Sequence, residues 1–229
     1  MSDSSFHPTR WTLIHRTRGH GEVARVALSE LCAIYYEPVH AFVKHWTGRE
    51  EGARDLAHAF FEDLLSRETI GESADPARGR FRGYLLGAVK HFLIKQRSRQ
   101  NTAKRGGTLE HLPLDHFEIP VTDADLLFDR DWAHALIRRA HTTLEAEMSA
   151  SGKQRQFEIL QAWLDGGTPG SLAEAGQELA MNPNALNVAI HRLRQRFLKL
   201  VRAEVEATTL NPADLADEFR HLVEVLANE

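Results

Sequence analysis

Two stretches of this chain carry cations with no acid among them, and the chemistry open to such side chains is the binding of a polyanion. Residues 76 to 105 hold Arg78, Arg80, Arg82, Lys90, Lys95, Arg97, Arg99, Lys104 and Arg105, and residues 191 to 202 hold Arg192, Arg194, Arg196, Lys199 and Arg202. The segments that follow them reverse the sign. Glu110, Asp115, Glu118, Asp123, Asp125, Asp129 and Asp131 face only Arg130; Glu204, Glu206, Asp214, Asp217, Glu218, Glu224 and Glu229 face only Arg220. The net charge of -4 is therefore a sum over alternating blocks. A ligand within a screening length of ~10 Å senses the block and not the sum.

Other chemistries find less support. Of the 13 histidines, close pairs include His40 with His45, His111 with His116, and His134 with His141. None has the i, i+4 spacing around a glutamate that a zinc hydrolase uses. Gly79-Arg80-Phe81-Arg82-Gly83 lacks the ending of a phosphate loop. The lone Cys32 sits among apolar residues, where a packing thiol is expected. No metal, no cofactor and no catalytic residue is expected, and the chain reads as a binding protein, not an enzyme. A single cysteine allows no internal disulfide framework and fits a reducing, cytoplasmic setting. The opening MSDSSFHPTR reads as lacking a secretory signal. No run approaches the ~18 apolar residues of a membrane span, so no membrane partner is expected.

These residues must be positioned by helices. With 229 residues, 42% hydrophobic and 26% charged, the composition is that of an ordinary globular chain of one large or two small domains. Apolar residues recur at helical spacing and no stretch alternates as a strand would. Val23, Ala27, Leu31, Ile34, Tyr35, Phe42 and Trp46 share one face, with Pro38 predicting a kink or a new start. Ala53, Leu56, Ala57, Phe60, Phe61, Leu64 and Leu65 share another. Residues 80 to 104 form a third helix, with Phe81, Tyr84, Leu85, Ala88, Phe92 and Leu93 inward and Gly106-Gly107 ending it. Residues 107 to 127 read as an acidic linker. Helices resume over 128–148 and 154–164. Ser171 with Glu174 forms a capping-box signature for a short helix over 172–180. Asn182-Pro183-Asn184 is a turn, followed by a long helix from Ala185. Leu215, Phe219, Leu222, Val223 and Leu226 line a final helix. The expected fold is all-α, with two helical domains joined by an acidic linker.

A short helix, a tight turn and a longer basic helix make the outline of a helix-turn-helix. In that motif the second helix enters the major groove with its first turns against base edges. Asn184, Asn187, His191 and Arg192 occupy such positions, and asparagine and arginine can bond adenine and guanine in bidentate fashion. Arg194, Arg196 and Lys199 suit phosphate. The same outline fits the corner of a four-helix bundle with a solvated basic face. In the earlier basic stretch Arg80, Arg82, Lys90, Lys95, Arg97 and Arg99 could track a single strand. Phe81, Tyr84 and Phe92 share a helix face and read as core in preference to a base platform.

Tyr35-Tyr36-Glu37-Pro38-Val39, then residues 53 to 61 (ARDLAHAFF) and Phe81-Arg82-Gly83-Tyr84-Leu85-Leu86, resemble domain two of bacterial sigma-70-type factors of the extracytoplasmic-function group. Residues 172–197, from Leu172-Ala173-Glu174-Ala175 to His191-Arg192-Leu193-Arg194-Gln195-Arg196-Phe197, resemble their domain four. The resemblance spans roughly residues 6–205. Thr9-Arg10-Trp11-Thr12-Leu13 and the helix after Asn211-Pro212 are similar to a subgroup with a short C-terminal extension.

The resemblance implies a promoter-specificity subunit whose partners are core RNA polymerase and promoter DNA, with room for an anti-sigma factor. It implies an N-terminal segment (1–20), domain two (21–106), a linker (107–127), domain four (128–207) and a C-terminal acidic helix (208–229). Asp55, Glu62 and Asp63 would face the polymerase clamp. Arg80, Arg82, Lys90, Lys95, Arg97 and Arg99 would serve melting and the -10 element. Asn184, Asn187, His191, Arg192, Arg194 and Arg196 would serve the -35 element. Two stretches depart from the pattern: acid-Asp-Leu-Thr-Gln of many relatives is Arg54-Asp55-Leu56-Ala57-His58 here, and their Lys-Ser-Arg is Asn187-Val188-Ala189. The linker acids Asp115, Glu118, Asp123 and Asp125 would be repelled from DNA and lie in the polymerase RNA channel. The acidic tail either folds over a basic helix or caps domain four. The alternative reading is a polymerase-independent helix-turn-helix regulator that binds duplex DNA alone.

Overall fold

Every element formed by the described residues is helical. The computed structural model describes residues 21–66, 81–105, 123–164, 170–209 and 212–228, and these contain no β-strand. The α-helices are α1 (Glu22–Thr47), α2 (Ala53–Ser66), α3 (Phe81–Arg105), α4 (Asp123–Ala150), α5 (Gln154–Leu160), α6 (Leu172–Glu178), α7 (Pro183–Glu206) and α8 (Pro212–Ala227), with a 3-10 turn at Gln161–Trp163. No described helix is long and apolar enough to cross a membrane. The all-α expectation holds.

The chain divides into two units, Met1–Ala135 with Glu206–Glu229, and Leu136–Val205. In the first unit the α1 stripe Ile34, Tyr35, Val39 and Phe42 packs with Phe60 and Leu64 of α2, and with Phe81, Leu85 and Val89 of α3, all buried. Tyr35 meets Phe81 edge-on at 5.1 Å, and Phe42 meets Phe128 edge-on at 6.1 Å. Val23, predicted on the apolar face of α1, is 61% exposed. α1 continues through Pro38 as one helix, so the restart expected there does not occur. It ends at Gly48, whose φ of 65° is left-handed and whose N–H reaches the carbonyls of Lys44 and His45. Glycine takes that conformation without the Cβ clash other residues meet.

Three boundaries differ from expectation. α4 starts at Asp123, so residues 123–127 are helix and not linker. Phe128 and Trp132, expected to open domain four, are buried in the first unit. α8, expected either to fold over a basic helix or to cap domain four, belongs to the first unit, where its Glu218 pairs with Arg82 of α3. Gly106-Gly107 and the linker residues 107–122 lie outside the described residues.

The second unit is built on α7, whose Leu186, Ile190, Leu193, Phe197, Leu200 and Val201 form one buried stripe. Phe157, Leu160 and Trp163 are buried in the same unit. Asn182 caps α7: its side-chain oxygen accepts the Ala185 N–H at 2.9 Å, and Pro183 takes the first helical position. A proline is tolerated there because that N–H has no helical partner to lose. α7 thus begins two residues before the predicted Ala185. Ser171 precedes α6 but makes no side-chain cap bond, so the capping box is not formed.

Candidate nucleic-acid interface

The predicted cations separate into those whose charge is neutralised within the protein and those left to solvent. Arg82, on the first turn of α3, lies inward. Its guanidinium donates to Glu218 of α8 at 2.9 Å and to Asp129 of α4. It lies over the Trp132 ring, 5.0 Å from the centroid. Glu218 is 1% exposed. His221 Nε2 lies 3.0 Å from the second Asp129 oxygen. Lys90 is likewise buried, 2.6 Å from Asp125. Arg82 and Lys90 were expected on DNA; in this fold their charge is taken up by carboxylates, because both lie among the buried residues of α3. Asp125 is for the same reason not a free linker acid. Arg80, Asp115 and Glu118 lie outside the described residues.

Phe81 and Phe92 are buried, so their rings are core. Lys95, Arg97 and Arg99 are exposed and have no ion-pair partner among the described residues. Among the described side chains they form the available cationic part of α3.

Asp129 carries a pH signature. Burial pushes its carboxyl up, but the His221 hydrogen bond and the Arg82 charge outweigh burial and hold it below the ordinary carboxylate value. A carboxylate depressed on folding stabilises fully above its unfolded pKa of about 3.9, and that contribution disappears as pH falls through the folded value. The urea midpoint of the first unit is expected to fall with pH below about 4, and Asp129→Asn to flatten that dependence. An unchanged slope in the variant would exclude Asp129 as a contributor.

On α2, Asp55 and Glu62 are exposed, seven residues apart and so on one face, while Asp63 is half-buried. Between them His58 is exposed, its Nε2 2.8 Å from the Tyr36 hydroxyl. Pattern reading missed this α1–α2 contact. Cys32 is buried, which pushes its thiol up to about 12 and keeps it protonated.

In the second unit Asn184, Asn187, His191 and Arg192 are all exposed on α7, opposite its buried stripe. None has a side-chain partner among the described residues. Two neighbours differ. Arg194 donates through Nε to the Trp163 carbonyl at 2.8 Å. Arg196 pairs with Glu147 of α4, with Nε 2.7 Å from one carboxylate oxygen. That hydrogen bond raises the arginine and lowers the carboxyl from their usual values. Both groups are near half-exposed, so the pair contributes only about 0–1 kcal/mol. Arg196 can leave it for a phosphate at little cost.

The arrangement can bind a polyanion with Lys95, Arg97 and Arg99 in one unit, and present amide, imidazole and guanidinium groups from one helix face in the other. It brings together no group of three or more His, Cys, Asp or Glu side chains placed to hold a metal among the described residues. Compared with known proteins, the chain matches no family model, no curated protein and no solved structure.

Proposed function

We propose that this protein is a sigma-type initiation factor of the extracytoplasmic-function group, which binds core RNA polymerase and directs promoter recognition and melting. One observation carries the reading. α6, a short turn and α7 have the lengths of a helix-turn-helix, and the solvent face of α7's first turns is made of side chains that read base edges and have no partner among the described residues. The resemblance over α1–α3 supplies the polymerase. Asp55 and Glu62 are exposed on α2, which supports a role for them in a clamp contact. Lys95, Arg97 and Arg99 serve the opened -10 strand, and Arg82 and Lys90 leave the DNA-binding set.

The test is assembly of the full chain with core polymerase, followed by run-off transcription. A 1:1 complex that starts RNA at a defined position supports the proposal. Specific duplex binding without polymerase, and no complex with it, would establish the independent regulator instead.

The division among cations is measurable in the same complex. Removing one cation that neutralises a single-strand phosphate flattens log K against log salt by about 0.7. Arg99→Ala is expected to produce that change. Lys90→Met, whose ammonium is bound to Asp125, is expected to lower stability and leave the slope unaltered. Equal slopes for Arg99→Ala and wild type would remove Arg99 from the interface.

A further inference from the structure

We infer that the exposed face of α7 reads a duplex element specified by A·T pairs, with Asn184 and Asn187 each on an adenine edge, Val188 against a thymine methyl, and Arg192 on a guanine or phosphate. This rests on the reading of α7 as the groove-entering helix and adds what it reads.

Asn184, Asn187, Val188, His191 and Arg192 are all exposed. At 3.6 residues per turn they fall within an arc of about 140°. Asn184 and Asn187 are separated by about 4.5 Å along the helix axis, close to the ~3.4 Å step between base pairs. They can therefore address neighbouring pairs.

The side-chain chemistry selects the base. An amide offers one acceptor and two donors. Adenine presents an acceptor at N7 and a donor at N6, which an amide satisfies together. Guanine presents two acceptors, which would leave the amide oxygen facing a lone pair. Val188, 47% exposed, offers only methyl groups. On the same face as the two amides it matches the thymine C5-methyl, and against cytosine it would leave the N4 donor without an acceptor. Between Pro183 and Leu193 the only Arg or Lys is Arg192, so guanine-directed contacts are scarce in the first turns. The next two arginines lie beyond the first turns: Arg194 donates to the Trp163 carbonyl, and Arg196, in its exposed pair with Glu147, suits phosphate better than a base edge.

The experiment is selection from a pool of randomised DNA duplexes, using the full chain with and without core polymerase, and then Asn184→Ala, Asn187→Ala and Val188→Ser. A·T pairs are expected at adjacent positions of the selected element. Each asparagine variant is expected to lose discrimination at one position, by roughly five- to 150-fold. Val188→Ser is expected to relax the thymine preference alone. All three positions are exposed, and unchanged thermal transitions establish that each variant folds. An element with G·C pairs at these positions, or one whose base preferences survive both asparagine variants, overturns this inference and leaves the DNA-binding proposal standing. Failure to enrich any duplex, with or without polymerase, overturns the groove-entering reading itself.

Discussion

Removing residues 212–229, and α8 with them, is expected to unfold the first unit and not to free a hidden DNA-binding surface. Two of the helix's leucines are inside, Leu215 at 8% and Leu222 at 1% exposure. Burying a leucine contributes about 1.5–3 kcal/mol. Glu218 is buried and is the counter-ion of Arg82, whose side chain is 12% exposed, and breaking such a pair costs about 3–5 kcal/mol. Together these approach the whole stability of an ordinary domain, about 5–15 kcal/mol. The truncated chain should lose the cooperative transition of the first unit, bind a hydrophobic dye, and lose amide protection in α1, α2 and α3. Leu222→Ala, at about 2–5 kcal/mol, tests the same packing without truncation. A truncated chain that keeps its transition and binds DNA more tightly would make the tail a mask.

How far the sequence could be read depends on whether a pattern was local. The helices were legible because their stripes repeat within one element: Ala57, Phe60, Phe61 and Leu64 in α2, or Leu186, Ile190, Leu193 and Phe197 in α7, all buried. The stops at Gly48 and Gly152 are backbone effects of single residues, and both glycines take positive φ. The start of α4 was missed because acid density over 107–131 looks like a solvated tether. Yet Asp125, Phe128, Asp129 and Trp132 stand at i, i+3, i+4 and i+7, one helix face. Their partners are remote: Lys90 is 35 residues from Asp125, and Arg82 is 47 residues from Asp129 and 136 from Glu218.

The same distinction sorted the candidate site. Which side of α7 meets solvent follows from its own apolar stripe, so the exposure of Asn184, Asn187, His191 and Arg192 was legible. That Arg194 is held by the Trp163 carbonyl and Arg196 by Glu147 depends on other helices and was not. On α3 a usable signal went unread. Arg82 stands three residues before Leu85 and seven before Val89, inside the buried stripe. Glu218 stands between Leu215 and Leu222 on α8 in the same way. A charge within an apolar stripe announces a buried partner, because a buried ion without one is too costly to retain.

Arg82→Met is expected to destabilise the first unit by about 3–5 kcal/mol at neutral pH, through charge more than volume. Methionine keeps part of the packing on Trp132 but removes the guanidinium from buried Glu218 and from Asp129. Asp129 retains His221 at 3.0 Å, whereas Glu218, at 1% exposure, has no solvent to replace the guanidinium. A buried carboxylate that loses its counter-ion takes up a proton. The variant should therefore gain stability, relative to its neutral-pH value, as pH falls towards about 4, the direction in which the wild-type chain begins to lose it. A loss of packing alone would be independent of pH. Adding Glu218→Leu removes the excess buried charge and is expected to recover most of the loss, as replacing both partners of a buried pair by apolar residues often does. Arg82→Lys, which keeps the charge but not the fork that reaches two carboxylates, should fall between. If Arg82→Met instead left stability unchanged and flattened the salt dependence of promoter binding, Arg82 would belong to the DNA interface, and the division of α3 into buried and available cations would have to be redrawn.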